Sequence, residues 1–520
     1  MATISPPRIT FNILGAPQAV ENAEQRVVLI GQKTASGSAI SGSLTTEIGN
    51  DGQENALFGE NSFLSDMIRN FKAVDFKGIV RLDAIALDDN AGGVQATGSV
   101  TFAGAAATEA GTFTVLIGSK RSHSFEIPVA VGDTPTDIGA SLVAAITADT
   151  KVSVTAANIA GAVTMTAVHK GAFGNSISLR SQGEVAGITV AIAAMAAGSL
   201  DPVLTNIFDI LGDTRYQTIV WPANYDKSVI KIYLDNRFNI NNNVLDGVGV
   251  MSETGTLAAL KAIGSPLNSR SLMLLGNQLV AEDLYKGSSV FELDTNIASQ
   301  FAAIRALRLT DGANIAQFII SGNGSRDTFG GAHIASLPYH NTPFQLLPVI
   351  DQDKGFTEEE ALELIDDAGV SMLGSNTVRS SIIANTIVTT YRTNAAAVPD
   401  ITFKFLNYVD TPSAIREYFF NNFKSQYAQT RLTAGDVIQG HNMTNEAGIR
   451  GFSIKLYSDL AGPGFVLTEA GEEALQFFKQ NMVVNLDLAN GLADVSYIVR
   501  TVTQLREVRG TFTITFAQNQ

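Results

Sequence analysis

Alternating apolar strands and helices constrain the fold of this 520-residue chain more than any other feature. The first apolar strand, residues 26–32, is followed by a helix-like stretch at residues 61–71 and a second strand at residues 78–87. The pattern returns after residue 200, with strands and helices predicted in turn at residues 218–222, 227–238, 247–251, 256–263 and 271–276. Such alternation is typical of an α/β layer, because each helix crosses over between parallel strands. We therefore predict an α/β core with a mixed, mostly parallel sheet.

Residues 93–199 differ in composition from the sequence on either side. They are rich in Ala, Gly, Thr and Val and contain neither Tyr nor Trp. Six short strands are predicted, at residues 98–102, 111–117, 123–129, 152–156, 162–167 and 177–180. One helix is predicted over residues 138–146, with Asp133 or Thr134 near its cap. This segment therefore indicates a small α+β domain inserted into the core.

The C-terminal third continues with helices and strands, and a further α+β domain is predicted from residue 381. Thr357 and Glu360 have the spacing of a capping box, in which each side chain bonds a free backbone N–H at a helix start. An apolar stripe follows and ends at Gly369; its members are Ala361, Leu362, Leu364, Ile365 and Ala368. Strands are predicted at residues 382–393 and 401–409. A long helix is then predicted from Thr411, with Pro412 in the first turn, where proline is favoured.

Both ends of the chain can form β-strands. Near the N-terminus Ile9, Phe11 and Ile13 alternate with other residues, and near the C-terminus Phe512, Ile514 and Phe516 do the same. Strict alternation buries one face of a strand and leaves the other to solvent. Two strands at residues 482–489 and 492–500 precede the last one, and Asn490-Gly491 predicts a two-residue hairpin turn between them. Strands at chain ends need a partner edge, in the same sheet or in a neighbouring molecule.

These patterns predict five parts of the chain. They are an N-terminal arm at 1–24, a discontinuous α/β core at 25–92 and 200–380, an inserted α+β domain at 93–199, a C-terminal α+β domain at 381–508 and a C-terminal β arm at 509–520.

Composition excludes several classes of function. The formal net charge is −15, so no excess of cations is available to neutralise the phosphates of nucleic acid. The chain has no cysteine, which excludes disulfides, thiolate metal sites and cysteine nucleophiles. No secretory signal is recognisable, and the longest uncharged apolar run, residues 185–200, is short for a bilayer span. We expect a soluble protein that does not insert into membranes.

The sequence motifs of common catalytic and metal sites are also missing. None of the five histidines has metal-ligand spacing, and no Gly-x-Ser-x-Gly elbow occurs. The acidic cluster at residues 358–360 suits a helix N-terminus, and the one at residues 351–353 flanks a loop. We therefore expect no catalytic, cofactor or metal site.

Several stretches resemble the tail sheath proteins of contractile-tailed bacteriophages, especially the Mu-like branch. The capped helix leading to Gly369–Leu373, the strand ending in Thr389-Thr390-Tyr391, the entry to the long helix at residues 405–416 and the segment at residues 431–436 are similar to that family. Residues 168–175 resemble part of a small module that these sheaths often contain. The resemblance is clearest over residues 352–520.

This resemblance implies a structural protein of the virion, not an enzyme. Sheath subunits stack as hexameric rings around a tail tube and contract to drive the tube through the host envelope. The implied partners are other copies, the tail tube protein, and the baseplate and tail terminator proteins; assembly would take place in the host cytoplasm. The terminal arms (Ile9, Phe11, Ile13, Phe512, Ile514 and Phe516) would be donated to the hairpin of a neighbour (Val483, Asn490, Gly491 and Val495).

Two further expectations follow from the resemblance. The insertion would protrude and be dispensable for polymerisation. The helix at residues 468–479, capped by Thr468, resembles the family's tube-attachment element and offers candidate tube contacts at Glu469, Glu472, Glu473 and Lys479. The acidic residues equally suit the positive end of the helix dipole, so both interpretations stay open. Other open functions are the sheath of a related contractile injection system and a soluble α/β enzyme with an accessory domain.

Overall fold

The described residues form two compact units. The computed structural model describes residues 25–204, 207–238, 244–309, 339, 342–344, 346–350, 353–375, 381–383, 387–438, 441–461 and 473–501. The first unit comprises those up to Glu417, and the second those from Tyr418. Both predicted arms, at 1–24 and 509–520, lie outside the described residues. The domain boundaries predicted from the sequence stay predictions.

The first unit contains sixteen of the described strands and most of the helices. Its strands are β1 (Arg26–Gln32), β2 (Leu44–Thr45), β3 (Arg81–Leu87), β4 (Gln95–Gly104), β5 (Gly111–Ile117), β6 (Ser124–Val129), β7 (Val154–Ile159), β8 (Ala162–Lys170), β9 (Leu179–Gln182), β10 (Ile188–Ala196), β11 (Thr218–Val220), β12 (Val248–Gly255), β13 (Leu272–Glu282), β14 (Tyr285–Ser288), β15 (Val370–Ser375) and β16 (Ser381–Ile383). Its helices are α1 (Gln53–Phe58), α2 (Phe63–Val74), α3 (Pro135–Ala148), α4 (Lys227–Phe238), α5 (Leu257–Gly264), α6 (Asp294–Leu309) and α7 (Glu358–Glu363).

The second unit is smaller. Helix α8 (Leu406–Tyr427) begins in the first unit and ends in the second. The other elements of the second unit are β17 (Arg431–Leu432), β18 (Met443–Thr444), α9 (Glu446–Ala461), α10 (Glu473–Gln480), β19 (Val483–Asp487) and β20 (Leu492–Ser496).

The core sheet of the first unit is mostly parallel, as predicted. Strands β3, β1, β11, β12, β13 and β15 lie side by side in that order, and every neighbouring pair among them is parallel. Strand β13 continues past β12 and pairs antiparallel with β14. Antiparallel pairs then extend the sheet through β9, β5 and β6. A second, four-stranded sheet has the order β10, β4, β8, β7.

Both faces of the core sheet are covered, which explains the continuous apolar run of β1. Val27 and Leu29 pack in one cluster with α2 and α6, while Val28 and Ile30 pack in another with α4 and α5. A strand buried on both faces needs apolar residues at every position. Helix α6, which was not predicted from the sequence, is buried at every residue except Leu309. A helix buried all round has no polar stripe, so its periodicity gives no signal.

The two strands predicted in the C-terminal third are confirmed only in small part. Of the first, residues 382–383 lie in β16, while residues 387–393 form only isolated bridges. Of the second, residues 406–409 are the first turn of α8 rather than the end of a strand. Leu406 and Val409 are both buried in the core of the first unit, and their spacing of three suits one helix face. Pro412 therefore lies inside the helix and not in its first turn, so the backbone bond to the carbonyl of Tyr408 is lost.

The capped helix α7 confirms the predicted box of Thr357 and Glu360. The helix continues as a π-helical turn, residues 364–368, and Gly369 ends it with a φ of 69°. The predicted apolar stripe was wrong at Leu362, which is 47% exposed. In the insertion, α3 begins with a second capping box, formed by Thr134 and Asp137. Strand β10 was not assigned from the sequence, since its exposed positions are mostly alanine and give weak alternation.

The insertion is packed closely onto the rest of the first unit. Phe63 of α2 and Leu293, which precedes α6, both lie in the hydrophobic cluster of the insertion. The Phe63 ring meets that of Phe173 edge-on, with 4.7 Å between centroids. Two aspartate side chains outside the insertion also bind its backbone. Asp89 accepts from the Lys170 backbone N–H at 3.0 Å, and Asp201 accepts from the Ala172 backbone N–H at 2.8 Å. The insertion therefore shares a core with the elements around it.

A buried glutamate lies at this junction. Glu292 is 2% exposed; it accepts from the hydroxyl of Ser119 at 2.7 Å and from the amide of Asn296 at 2.8 Å. The same amide donates to Asp66 at 2.7 Å, so two carboxylates share one donor. Burial, with the nearby charge of Asp66, raises the pKa of Glu292 to about 7.

Glu292→Gln is expected to stabilise the protein in a pH-dependent way. Because the folded-state pKa is raised, the stability that the carboxyl contributes is present below its unfolded pKa of about 4.5 and is lost as the pH rises through about 7. At about pH 8 the gain should be on the order of 3 kcal/mol, and at about pH 4 close to zero. Urea unfolding at both pH values measures it, with the exposed Glu359→Gln as control. An equal gain at both pH values would contradict the assignment.

Candidate assembly surface

The hairpin of β19 and β20 is the candidate assembly surface of the second unit. The strands pair antiparallel from Val483 opposite Ser496 to Asp487 opposite Leu492. Within the described part of the chain they pair only with each other, so no described strand covers the outer backbone edge of either. Two-stranded ribbons are marginally stable alone, and an open edge accepts further strands. The hairpin was predicted, and the pairing confirms it.

One face of the hairpin is fixed to the second unit by aromatic packing. Tyr497, just after β20, lies 4.9 Å from Phe419 and 5.5 Å from Phe478, measured between ring centroids. Burial there raises the pKa of Tyr497 to about 12. Val484 is 6% exposed on the same side, and Arg450 donates to the Met482 carbonyl at 3.0 Å. These contacts hold the hairpin at a defined position within the second unit.

The hairpin and its continuation also expose apolar side chains. About half of the surface of each of four residues is accessible: Val483, Leu488, Leu492 and Ile498. An added strand gains backbone bonds from an open edge and side-chain contacts from alternate positions beside it. In this hairpin the outer strand edges can supply the backbone bonds, and the exposed apolar residues can supply the side-chain contacts. Of the predicted acceptor residues, Val483 is exposed, Val495 is half-buried opposite Val484, and Asn490 and Gly491 lie in the loop.

The predicted two-residue turn was wrong. The last paired residues are Asp487 and Leu492, so the loop has four residues, and only Gly491 of the Asn-Gly pair has a positive φ, 64°. Asp487 accounts for the difference. Its carboxylate accepts from the backbone N–H groups of Ala489 and Asn490 at 3.1 and 3.2 Å, and from the Asn490 side chain at 2.7 Å. An aspartate that bonds residues further along the chain favours this wider turn, and Asp487 three residues before Asn490 is the sequence signal for it.

The predicted tube contacts are only partly described. Glu469 and Glu472, like the cap Thr468, lie outside the described residues. Glu473 is exposed at the start of α10 and Lys479 is half-buried near its end, while Ala474 and Phe478 face the interior. Contact of Glu473 or Lys479 with a tube stays a prediction. The six strand-donor residues at the chain ends also lie outside the described residues.

The rest of the described chain brings together no group of side chains with the chemistry of a metal site. Over the ranges given above, no three His, Asp or Glu side chains come together as a metal site. His123 and His169 each pair with an aspartate, Asp149 at 2.7 Å and Asp89 at 2.8 Å. Among those same ranges, no helix combines the length and apolar character needed to cross a bilayer.

Comparison with curated proteins confirms the resemblance to the tail sheath proteins of contractile phage tails. The relative found is the Mu-like prophage FluMu tail sheath protein of Haemophilus influenzae, which is 26% identical over 492 residues, 93% of this chain and 91% of that protein. It indicates a structural tail protein. No protein-family model matches the chain. Among solved structures, the cryo-EM structure of the anti-feeding prophage helical sheath in contracted state is similar, with a TM-score of 0.43 and 9% identity over 98% of this chain and 99% of that one.

Proposed function

We propose that this chain is the subunit of a contractile tail sheath. Copies of it form hexameric rings that stack around a tail tube, between baseplate and tail terminator proteins, and contract to drive the tube through the host envelope. Assembly takes place in the host cytoplasm, and the finished polymer is part of the virion. The proposal is supported by the tail sheath relative, which aligns over nearly the whole chain.

The observation that bears most on assembly is the open-edged hairpin β19–β20. The arms of neighbouring copies, with Ile9, Phe11 and Ile13 at one end and Phe512, Ile514 and Phe516 at the other, add strands to its edges. Strand addition relies on backbone hydrogen bonds, which any sequence can form, while the apolar positions set the register. A connection at chain ends can also persist while whole subunits rotate, since the residues between absorb the change in direction.

Deleting residues 511–520 is expected to abolish polymerisation and leave the subunit folded. The donor strand is lost, whereas the described hydrophobic clusters of the first unit are built from residues between 27 and 409. Negative-stain microscopy of the purified protein detects tubes or rings, and thermal unfolding checks the fold.

A matched pair of substitutions refines this test. Ile514→Lys places a charge on the apolar face of the predicted strand and should block assembly, whereas Thr513→Lys places it on the other face and should not. Normal tubes from the deletion variant, or equal effects of the two lysines, would refute strand donation.

A further inference from the structure

The tip of the hairpin carries a dipeptide that can react with itself. Asn490 and Gly491 are both exposed, and apart from residues 490–492 no atom of the described chain lies within 4 Å of the position that a Cβ on Gly491 would occupy. Glycine has no side chain to shield its backbone nitrogen, and asparagine is among the thermolabile residues. We propose that Asn490 is a site of spontaneous deamidation and that Asp487 is the positioning residue that slows it.

The reaction needs only solvent. The backbone nitrogen of Gly491 loses its proton to water and attacks Cγ of Asn490, so that a carbon–nitrogen bond forms and the side-chain amide leaves as ammonia. The product is a cyclic succinimide. Water then adds to one of its two carbonyl carbons and opens the ring to aspartate or to isoaspartate, in which the main chain runs through the side chain.

Asp487 opposes this reaction in two ways. Its carboxylate holds the Asn490 side-chain nitrogen at 2.7 Å and the backbone nitrogen at 3.2 Å, so turning the amide towards Gly491 breaks a charge-assisted hydrogen bond. Those same hydrogen bonds keep the pKa of Asp487 below its usual range, so the group is ionised at neutral pH. A negative charge beside the loop also disfavours the anionic nitrogen that must form at Gly491.

Deamidation would undo the loop that Asp487 organises. The new carboxylate at position 490 has no N–H to donate to Asp487. The two negative charges repel each other instead. An isoaspartate would add an atom to the main chain between β19 and β20. That a loosened loop also weakens strand acceptance from a neighbour rests on the proposed function; the modification itself does not.

The test compares Asp487→Asn with the unsubstituted full chain. Asparagine keeps the shape of aspartate and can still accept from the backbone, but it lacks the charge and the second acceptor oxygen. Samples are aged in mildly alkaline buffer, and peptide mass spectrometry follows conversion of the amide at position 490 to acid. We expect conversion to be about threefold to tenfold faster in Asp487→Asn, the factor for losing one hydrogen bond of ordinary strength.

Two controls make the result specific. Asp494→Asn removes the same charge from β20, opposite Asn485 and away from the loop, and should leave the rate unchanged. Gly491→Ala shields the attacking nitrogen and should suppress conversion in both backgrounds. Equal rates in Asp487→Asn and the unsubstituted chain, or conversion that persists undiminished in Gly491→Ala, would overturn the proposal. These readouts do not depend on assembly, so they fail or succeed separately from the proposed function.

Discussion

Replacing residues 95–198 with a short glycine linker is expected to destabilise the first unit by several kcal/mol and to cause aggregation. The linker can close, because Val94 and Ser199 already exchange backbone hydrogen bonds at 3.0 and 3.2 Å. The cost comes from what the deletion uncovers. Phe63 and Leu293 are 1% and 2% exposed beneath the insertion, and exposing each costs about 1.5–3 kcal/mol. Strand β14 also loses its partner β9.

Thermal unfolding and sedimentation of the deletion variant measure this effect. Adding Phe63→Ser and Leu293→Ser to the deletion should restore solubility, because the newly exposed surface becomes polar. The same two substitutions should destabilise the full-length chain, where both side chains are buried. An unfolding temperature within a few degrees of the full-length protein would support the alternative, that the insertion is dispensable.

Arg305→Met is expected to cost about 3–5 kcal/mol, the typical penalty for leaving a buried charge without its partner. Arg305 on α6 pairs with Asp410 on α8 at 2.5 Å, and both side chains are almost inaccessible, at 4% and 1%. The guanidinium also donates to the carbonyl and hydroxyl oxygens of two neighbouring residues, Gln217 and Thr218, at 2.6 Å each. Methionine fills similar space but satisfies none of these acceptors.

A double-mutant cycle separates the ion pair from the rest of the cost. In Arg305→Met/Asp410→Asn the buried carboxylate is gone, so the double variant should be less destabilised than the sum of the two single ones. Chemical denaturation of the four proteins gives the coupling. Additive losses, or a loss below about 1 kcal/mol for Arg305→Met, would show that the pair contributes little.

The sequence predicted the core sheet well because burial on both faces leaves a strong signal. Val27 to Ile30 are all inaccessible, and such an uninterrupted apolar run flanked by helices has few other interpretations. The capping box was also predicted well, since it depends only on Thr357 and on Glu360 three residues later. Local chemistry of this kind needs no knowledge of the rest of the fold.

The failures have tertiary causes. Leu406 and Val409 suit a strand by composition, but their burial in the core and the ion pair of Asp410 favour a helix that continues through Pro412. At the assembly surface, Asn490-Gly491 predicted a tight turn, and three hydrogen bonds to Asp487 produced a wider one. That no other described strand pairs with β19 or β20 does not follow from the residues of these two strands, because it depends on which strands pair elsewhere.

The meeting of Val94 and Ser199 has an evolutionary consequence. Since the insertion leaves the core at nearly the point where it enters, a gene could acquire the whole segment in one event without rerouting the strands on either side. Removing such a segment would be harder than adding it. Phe63 and Leu293 pack in the same hydrophobic cluster as the segment, so its loss would expose their apolar surface. A segment packed in this way can be retained for stability alone, without having to add a new function.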